Sequence, residues 1–167
     1  MSTIIPYMTP IGEALYPYLT KPDTEYNSEG VYHVKLKVKK EEALKDIKII
    51  NDEIAKQVAE QHKKVPGIKE LKRAPTPYEL SEDGSYVFKF KSKFPPKLYD
   101  DTGGALPNDK TIWSKTTMRV KYTPSGYNQS IGIGCTLRLV SCQIDNLVEG
   151  NENTTAFEPI KRTANGL

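Results

Sequence analysis

Hydrophobic and polar residues alternate with a period of two along four segments of the chain. Such alternation is typical of half-buried β-strands, because successive side chains of a strand point to opposite faces. The first segment reads VYHVKLKV from residue 31, with apolar side chains on one face and His33 and lysines on the other. The predicted strands are residues 31–39, 86–93, 115–122 and 129 to about 147, with a weaker strand over 12–19.

One segment follows a different spacing. Its apolar residues recur at helical intervals, at Leu44, Ile47, Ile50, Ile54 and Val58. This spacing predicts one amphipathic helix over about 41–63 with a single buried stripe. Two stretches rich in proline and glycine, 66–84 and 94–112, are predicted to be long loops. The simplest architecture is an all-β barrel with one capping helix.

The last predicted strand has an apolar face made by Ile131, Ile133, Cys135, Leu137 and Leu139. Gly132 and Gly134 alternate with these residues, and glycine in a strand permits sharp bending or the close approach of another chain segment. Cys135 and Cys142 are the only cysteines. An odd separation in a regular strand would place them on opposite faces and out of disulfide reach, so two reduced thiols are predicted.

The length of 167 residues suits one compact domain, expected over 1–148. The polar, aperiodic segment 149–167 is predicted to be a disordered tail. No apolar run reaches the roughly 18 residues that span a bilayer, and the first residues, MSTIIPYMTPIGEAL, do not resemble a secretory signal. A cytoplasmic protein without a membrane partner is therefore expected.

Positive charge is concentrated in the predicted strands. Segments 31–39, 86–93, 115–122 and 129–142 contain ten Lys or Arg and no acidic residue. Because the whole chain has a net charge of +3, these strands carry +10 and the remainder carries −7. Like charges facing each other across strands are destabilising, so this separation indicates an extended anionic ligand. The candidate cationic residues are Lys35, Lys37, Lys89, Lys91, Lys93, Arg119, Lys121 and Arg138.

Aromatic residues indicate what kind of anion this is. Tyr86, Phe88, Phe90 and Tyr122 share the apolar parity of their strands and are assigned to the core. Aromatic rings beside a cationic groove bind unpaired nucleic acid without sequence preference, at about 1–3 kcal/mol per stacked base. Two alternatives remain open: the rings outside the core could serve loop packing, and the lysines could only protect strand edges from aggregation. The candidate stacking residues are Tyr127, Trp113, Tyr99 and Phe94.

The sequence offers no pattern for catalysis. With His33 and His62 as the only histidines, no cluster of metal ligands can be written. The glycines at 132–134 lie inside a predicted strand rather than before a helix, so they do not form a phosphate-binding loop. Asp100 and Asp101 precede two glycines and indicate a turn rather than a metal-binding pair. No catalytic residue, no metal and no cofactor are expected.

Six segments, taken in order, resemble the single-stranded DNA-binding proteins of T7-like bacteriophages and their relatives in other phages. They extend over most of residues 12–148, and it is their order and spacing, rather than one strict motif, that carries the resemblance. The segments are LTKPD (19–23), EGVYHVKLKV (29–38), NDEIAK (51–56), PYELSEDGSYVFKFK (77–91), MRVKY (118–122) and YNQSIGIGCTLRLV (127–140).

The resemblance implies an oligonucleotide/oligosaccharide-binding (OB) fold, a five-stranded Greek-key barrel with a long helix. It also implies a non-enzymatic protein that coats single-stranded DNA in phage replication, recombination and repair. Tyr127 falls where the family has an aromatic–Asn pair, while Lys89, Lys91 and Lys121 match its basic strands. Glu29 stands where the family has a basic residue, so that DNA contact does not carry over.

The same resemblance implies single-stranded DNA as the partner, in the cytoplasm of an infected bacterial host. It further suggests a homodimer and replication partners such as polymerase and helicase. The acidic tail through which family members dock such partners is not seen, because residues 149–167 have a net charge of −1. Two other hypotheses remain: an RNA-binding OB domain, since no residue that reads a 2′-hydroxyl is identifiable, and a structural phage protein without a nucleic-acid role.

Overall fold

The computed structural model describes residues 5–25, 28–107 and 111–148. Within these ranges the chain forms eight strands and one helix. In order, they are β1 (Tyr7–Met8), β2 (Gly12–Asp23), β3 (Val31–Val38), α1 (Lys40–Lys64), β4 (Tyr78–Leu80), β5 (Tyr86–Ser92), β6 (Lys97–Tyr99), β7 (Thr117–Gln129) and β8 (Gly132–Asn146).

The long strands close into a barrel. Hydrogen bonding runs from β7 through β2, β3 and β5 to β8, and β8 pairs again with β7. Neighbouring strands of the barrel are antiparallel except β5 and β8, which are parallel, and the short strand β6 is also parallel to β8. The short strands β1, β4 and β6 add to β7, β5 and β8. The predicted mainly β, closed architecture is therefore confirmed, and β4 and β6 lie within the two stretches predicted to be loops.

Alternate residues of the barrel strands fill its interior. Val34 and Leu36 of β3 are fully buried, as are Phe88 of β5 and Val120 and Tyr122 of β7. Each large apolar side chain removed from water in this way contributes about 1.5–3 kcal/mol. Because the period is two, burying these residues forces the side chains between them outward, and those are the basic ones.

Helix α1 spans Lys40–Lys64, close to the predicted 41–63, and packs on β7 and β8. Its buried residues are Ala43, Asp46, Ile50 and Ile54. Leu44, predicted to lie in the buried stripe, is 57% exposed. The prediction for Leu44 was wrong because the face of α1 that meets the barrel is rotated by about one residue, toward Ala43, at its first turn.

A β-bulge in β8 changes the expected faces of the two cysteines. Leu139 pairs with Tyr122 and Ser141 with Lys121, so Val140 is an extra residue in β8. The bulge shifts the alternation by one position. Both thiols are therefore buried rather than on opposite faces, and they remain free. Burial raises the pKa of Cys135 to about 11 and that of Cys142 to about 12, so both are protonated at neutral pH.

A buried carboxyl group sits between α1 and the barrel. Asp46 is 1% exposed, and its Oδ1 accepts a hydrogen bond from the hydroxyl of Tyr122. No described residue forms a hydrogen bond with Oδ2. Burial raises the pKa of Asp46, and the hydrogen bond from Tyr122 opposes that rise only in part. The charged form of Asp46 is therefore less stable in the folded protein than in the unfolded chain.

This raised pKa predicts a pH dependence of stability. Asp46 holds its proton more tightly when folded, so its contribution to the free energy of unfolding is largest below its ordinary pKa of about 3.9. That contribution declines as the pH rises toward the folded-state pKa and is constant above it. Asp46→Asn keeps an acceptor for Tyr122 and should remove the decline, which urea unfolding between pH 4 and 8 measures.

Asp52→Asn is the matched control, since it neutralises an exposed carboxylate on the same helix, paired with Lys48. This variant is expected to keep the wild-type decline. A difference in unfolding free energy between wild type and Asp46→Asn that stays constant with pH would contradict the assignment.

The predicted tail, 149–167, lies outside the described residues. Within the described ranges, no helix is both long enough and apolar enough to cross a membrane. The same ranges contain no group of three or more His, Cys, Asp or Glu side chains that could hold a metal ion.

Candidate nucleic-acid interface

A groove of about 380 Å³ lies across β3, β5 and the tip of the β7–β8 hairpin. Four of the candidate residues line it: Lys35, Lys89, Lys91 and Tyr127. The lysines come from two strands and the tyrosine from a third, so residues more than 90 positions apart in the chain meet here.

Strand register explains why the lysines converge. Lys35 of β3 lies directly opposite Lys89 of β5, and Lys91 lies opposite His33 on one side and Arg138 of β8 on the other. Side chains at opposed positions on one face are only about 4.5–5.5 Å apart at Cβ. Like charges at that spacing repel each other, so the sheet gains stability when an anion lies over them.

The groove has no negative charge of its own among the described residues that line it. Lys35, Lys89 and Lys91 form no ion pair with any described carboxylate. A cleft lined by one sign of charge focuses the electrostatic potential and raises the local concentration of oppositely charged ligands. The groove is therefore suited to a polyanion.

Gly134 positions the ring of Tyr127. The two residues are opposite each other on β7 and β8. A Cβ atom on Gly134 would lie 2.6 Å from the hydroxyl oxygen of Tyr127 and 3.0 Å from Cβ of Ala74. The ring can therefore occupy this place at the groove only because residue 134 has no side chain, as the sequence indicated for a glycine in a strand.

The groove also has walls that the sequence pattern did not indicate. Pro75, Thr76 and Pro77, from a stretch predicted to be loop, form one side. This segment is held to β8 by hydrogen bonds from Ala74 N to Ile133 O and from Ile133 N to Lys72 O, both 2.9 Å. Loop walls of this kind leave no periodic signal, so only the folded chain reveals them.

Ile131 also lines the groove, although the sequence pattern assigned it to the core. The sequence placed it on the apolar core face of the last strand, but it is 53% exposed in the turn before β8 and lines the groove. The assignment was wrong because β8 begins at Gly132, whose φ of +122° turns the chain there. An exposed apolar side chain beside Tyr127 offers a further surface for a base.

His33 marks the end of the groove near β2. Its Nε2 lies 2.8 Å from Oδ2 of Asp23, and its ring centroid is 4.8 Å from that of Tyr18. The hydrogen bond from His33 and another from the Glu25 backbone hold the pKa of Asp23 below its usual value. His33 was visible in the sequence as part of the outward face of its strand but was not selected as a site residue.

Lys37 lies apart from the groove. Its Nζ pairs with Asp83, in the turn before β5, and this ion pair lowers the pKa of Asp83 and raises that of Lys37. The sequence showed no acid within the basic strands, but the tertiary structure brings one in from a turn. The role predicted for Lys37 in DNA binding therefore has less geometric support than that of Lys35.

The remaining candidate DNA-binding residues lie at several places outside the groove. Tyr99, Arg119 and Lys121 line a second cavity at another part of the barrel surface. Lys93 and Phe94 follow the end of β5 and are exposed. Trp113 is hydrogen-bonded through its backbone to Val148, near the end of β8, and lines neither the groove nor the second cavity.

Comparison with known proteins shows which solved structures have a similar fold. No family model and no curated protein matches this sequence. Among solved structures, the single-stranded DNA-binding protein encoded by bacteriophage T7 has a TM-score of 0.71 at 22% identity, over 90% of this chain and 96% of that chain. The single-stranded DNA-binding protein from bacteriophage Enc34 in complex with single-stranded DNA has a TM-score of 0.62 at 20% identity, over 85% and 86%.

The C-terminally truncated Enc34 protein is similar to the same degree, with a TM-score of 0.63 at 16% identity, over 85% of this chain and 86% of that chain. Each likeness extends over most of both chains. The OB fold implied by the sequence motifs is thereby confirmed, and this chain has the fold of phage single-stranded DNA-binding proteins.

Proposed function

We propose that this protein binds single-stranded DNA without sequence preference. The observation that carries the proposal is the convergence of Lys35, Lys89 and Lys91 with the ring of Tyr127 in one groove that is free of described acidic residues. The lysines would contact phosphates, and Tyr127 would stack on a base.

The combination of lysines and an aromatic ring in the groove favours an unpaired strand over a duplex. Bases inside a duplex stack on each other and do not offer their faces to a protein ring, whereas the bases of a single strand do. Phosphate contacts by lysine carry no sequence information, so such contacts do not select one base sequence over another. A protein of this fold, from bacteriophage Enc34, has been solved in complex with single-stranded DNA, which supports the same ligand here.

The proposed role is that of a non-enzymatic coating protein in phage DNA replication, recombination and repair, acting in the cytoplasm of the infected cell. Such a protein needs no bound metal or cofactor, since its work is binding.

Salt dependence tests the proposal. Binding to single strands should weaken with salt, with a log–log slope of about −0.7 for each phosphate neutralised. Lys89→Ala should lower affinity and reduce the magnitude of this slope by about 0.7. Lys37→Ala is the matched control, because it removes the same charge from an adjacent strand where Asp83 already pairs with it. Fluorescence anisotropy of a labelled oligo-dT between 50 and 300 mM NaCl measures both.

Affinity for oligo-dT that does not change with salt would refute the mechanism. Equal effects of Lys89→Ala and Lys37→Ala would show that general charge, rather than the groove, governs binding. Competition with an RNA strand of matched length and with duplex DNA decides the ligand class, and preference for either competitor would overturn the assignment to single-stranded DNA.

A further inference from the structure

The second cavity, of about 220 Å³, opens where β1, β6, β7 and β8 meet. Its lining includes the cations of Arg119 and Lys121, the ring of Tyr99 and the polar side chains of Ser141 and Gln143. No carboxylate is found among the described residues that line it. It repeats, on a smaller scale, the composition of the groove: positive charge beside an aromatic ring.

Arg119 is oriented for an anion. Its Nε donates a hydrogen bond to Oε1 of Gln143 at 2.7 Å. The amide nitrogen of Gln143 in turn donates to the backbone oxygens of Asp100 at 3.2 Å and Asp101 at 3.4 Å, which fixes the amide's direction. No described residue accepts a hydrogen bond from the two Nη atoms of Arg119. A guanidinium held in this way keeps a planar pair of donors for phosphate oxygens.

Register adds a third cation. Lys97 of β6 and Lys121 of β7 lie opposite Ser141 of β8, one on each side. Tyr99 and Arg119 flank Gln143 in the same manner. Strand β8 is therefore the centre of a small basic surface whose neighbouring strands both contribute lysine.

The same strand leads back to the groove. Thr136 of β8 lines the groove, and Arg138 lies opposite Lys91. From Thr136 to Gln143 the strand contains no acidic residue. At about 3.3 Å per residue the seven steps of this interval are roughly 23 Å long. A continuous path without negative charge on β8 thus joins the two cavities.

The connection between β5 and β6 follows this interval. The chain leaves β5 beside Arg138 and rejoins the sheet as β6 beside Ser141. Lys93 and Phe94 lie in this connection, and Phe94 is 65% exposed. Two candidate residues that belong to neither cavity are therefore placed along the way from one to the other.

We infer that a DNA strand longer than the groove continues along the outer face of β8 and places a further phosphodiester and its unpaired base in the second cavity. The phosphate lies against Arg119, Lys121 and Lys97, and the base lies on Tyr99. This inference rests on the proposed function, since it extends the same ligand. At a stacked rise of about 3.4 Å per nucleotide, bridging takes at most about seven nucleotides, within the roughly 4–16 that one OB fold covers.

Length-dependent binding tests the inference. Anisotropy titrations of labelled dT oligomers from 4 to 16 nucleotides compare wild type with Lys97→Ala/Lys121→Ala. Wild-type affinity should rise in a step once the strand reaches the second cavity. The double variant should lose the step, so that its affinity for the longest strands falls by about tenfold or more near 0.1 M salt. It should bind the shortest strands as wild type does.

Lys48→Ala/Lys56→Ala removes the same charge from exposed, ion-paired sites on α1 and should keep the step. Thermal unfolding confirms that each variant is folded. If the Lys97→Ala/Lys121→Ala variant binds every length as wild type does, or loses the same factor in affinity at all lengths, the second subsite is refuted, while binding in the groove is not. If wild type itself fails to bind any oligomer, the proposed function fails first, so the two failures are distinguishable.

Discussion

Replacing Tyr127 with alanine is expected to weaken single-stranded DNA binding by about 1–3 kcal/mol, or roughly 5- to 150-fold. The ring lines the groove beside Lys35, Lys89 and Lys91, and it provides the flat apolar surface that a base stacks on. Because the substitution removes no charge, the slope of log affinity against log salt should stay as in wild type. Anisotropy titration with oligo-dT at several salt concentrations measures both quantities.

Tyr16→Ala is the control for this substitution. Tyr16 is also an exposed aromatic residue of a barrel strand, but it lines neither the groove nor the second cavity. Its removal should leave affinity within about twofold of wild type. Equal losses for the two variants would show that the position of Tyr127 in the groove has no particular importance.

Adding one methyl group at Gly134 should weaken single-stranded DNA binding almost as much as removing the ring of Tyr127 does. The new Cβ would lie 2.6 Å from the hydroxyl oxygen of Tyr127 and 2.7 Å from Cζ, far inside contact distance. The ring is the end of a movable side chain, so it should be displaced while the barrel stays folded. Gly134→Ala is therefore expected to weaken oligo-dT binding by about 1 kcal/mol or more, with a modest change in thermal stability.

A double-mutant cycle separates this mechanism from a general disturbance. If Gly134 acts by giving the ring its place, Gly134→Ala should cost little further affinity once Tyr127 is alanine. Additive losses would mean that the methyl group harms binding by another route, such as moving the segment that carries Ala74. The cycle needs three variants and the same titration.

Charge placement could be predicted from the sequence only up to the level of strand faces. The period of two in VYHVKLKV placed Lys35 and Lys37 on one outward face, and both do point away from the core. Their surroundings nevertheless differ, because Lys35 faces Lys89 while Lys37 pairs with Asp83 from a turn. A period shows which side chains share a face but contains no information on what a distant turn brings to it.

The stacking candidates show the same limit. The residue pattern alone gave equal weight to four rings at strand ends or in loops beside the basic strands, and only the family resemblance favoured Tyr127; the four are Tyr127, Tyr99, Trp113 and Phe94. Folding sends Tyr127 to the groove, Tyr99 to the second cavity and Trp113 to the far end of β8. These destinations depend on strand order around the barrel, which places β8 between β5 and β7.

What the sequence alone determined is the long elements and their two faces: a helix with one buried stripe, and strands with an apolar interior and a basic exterior. These follow from local periodicity and from the removal of apolar surface from water. The tertiary structure decided which strands close the barrel and where the bulge at Val140 turns both cysteines inward. It also decided that the ring of Tyr127 packs against Gly134. These features depend on register between strands distant in the chain, and register is set by packing the whole core at once rather than by any single segment.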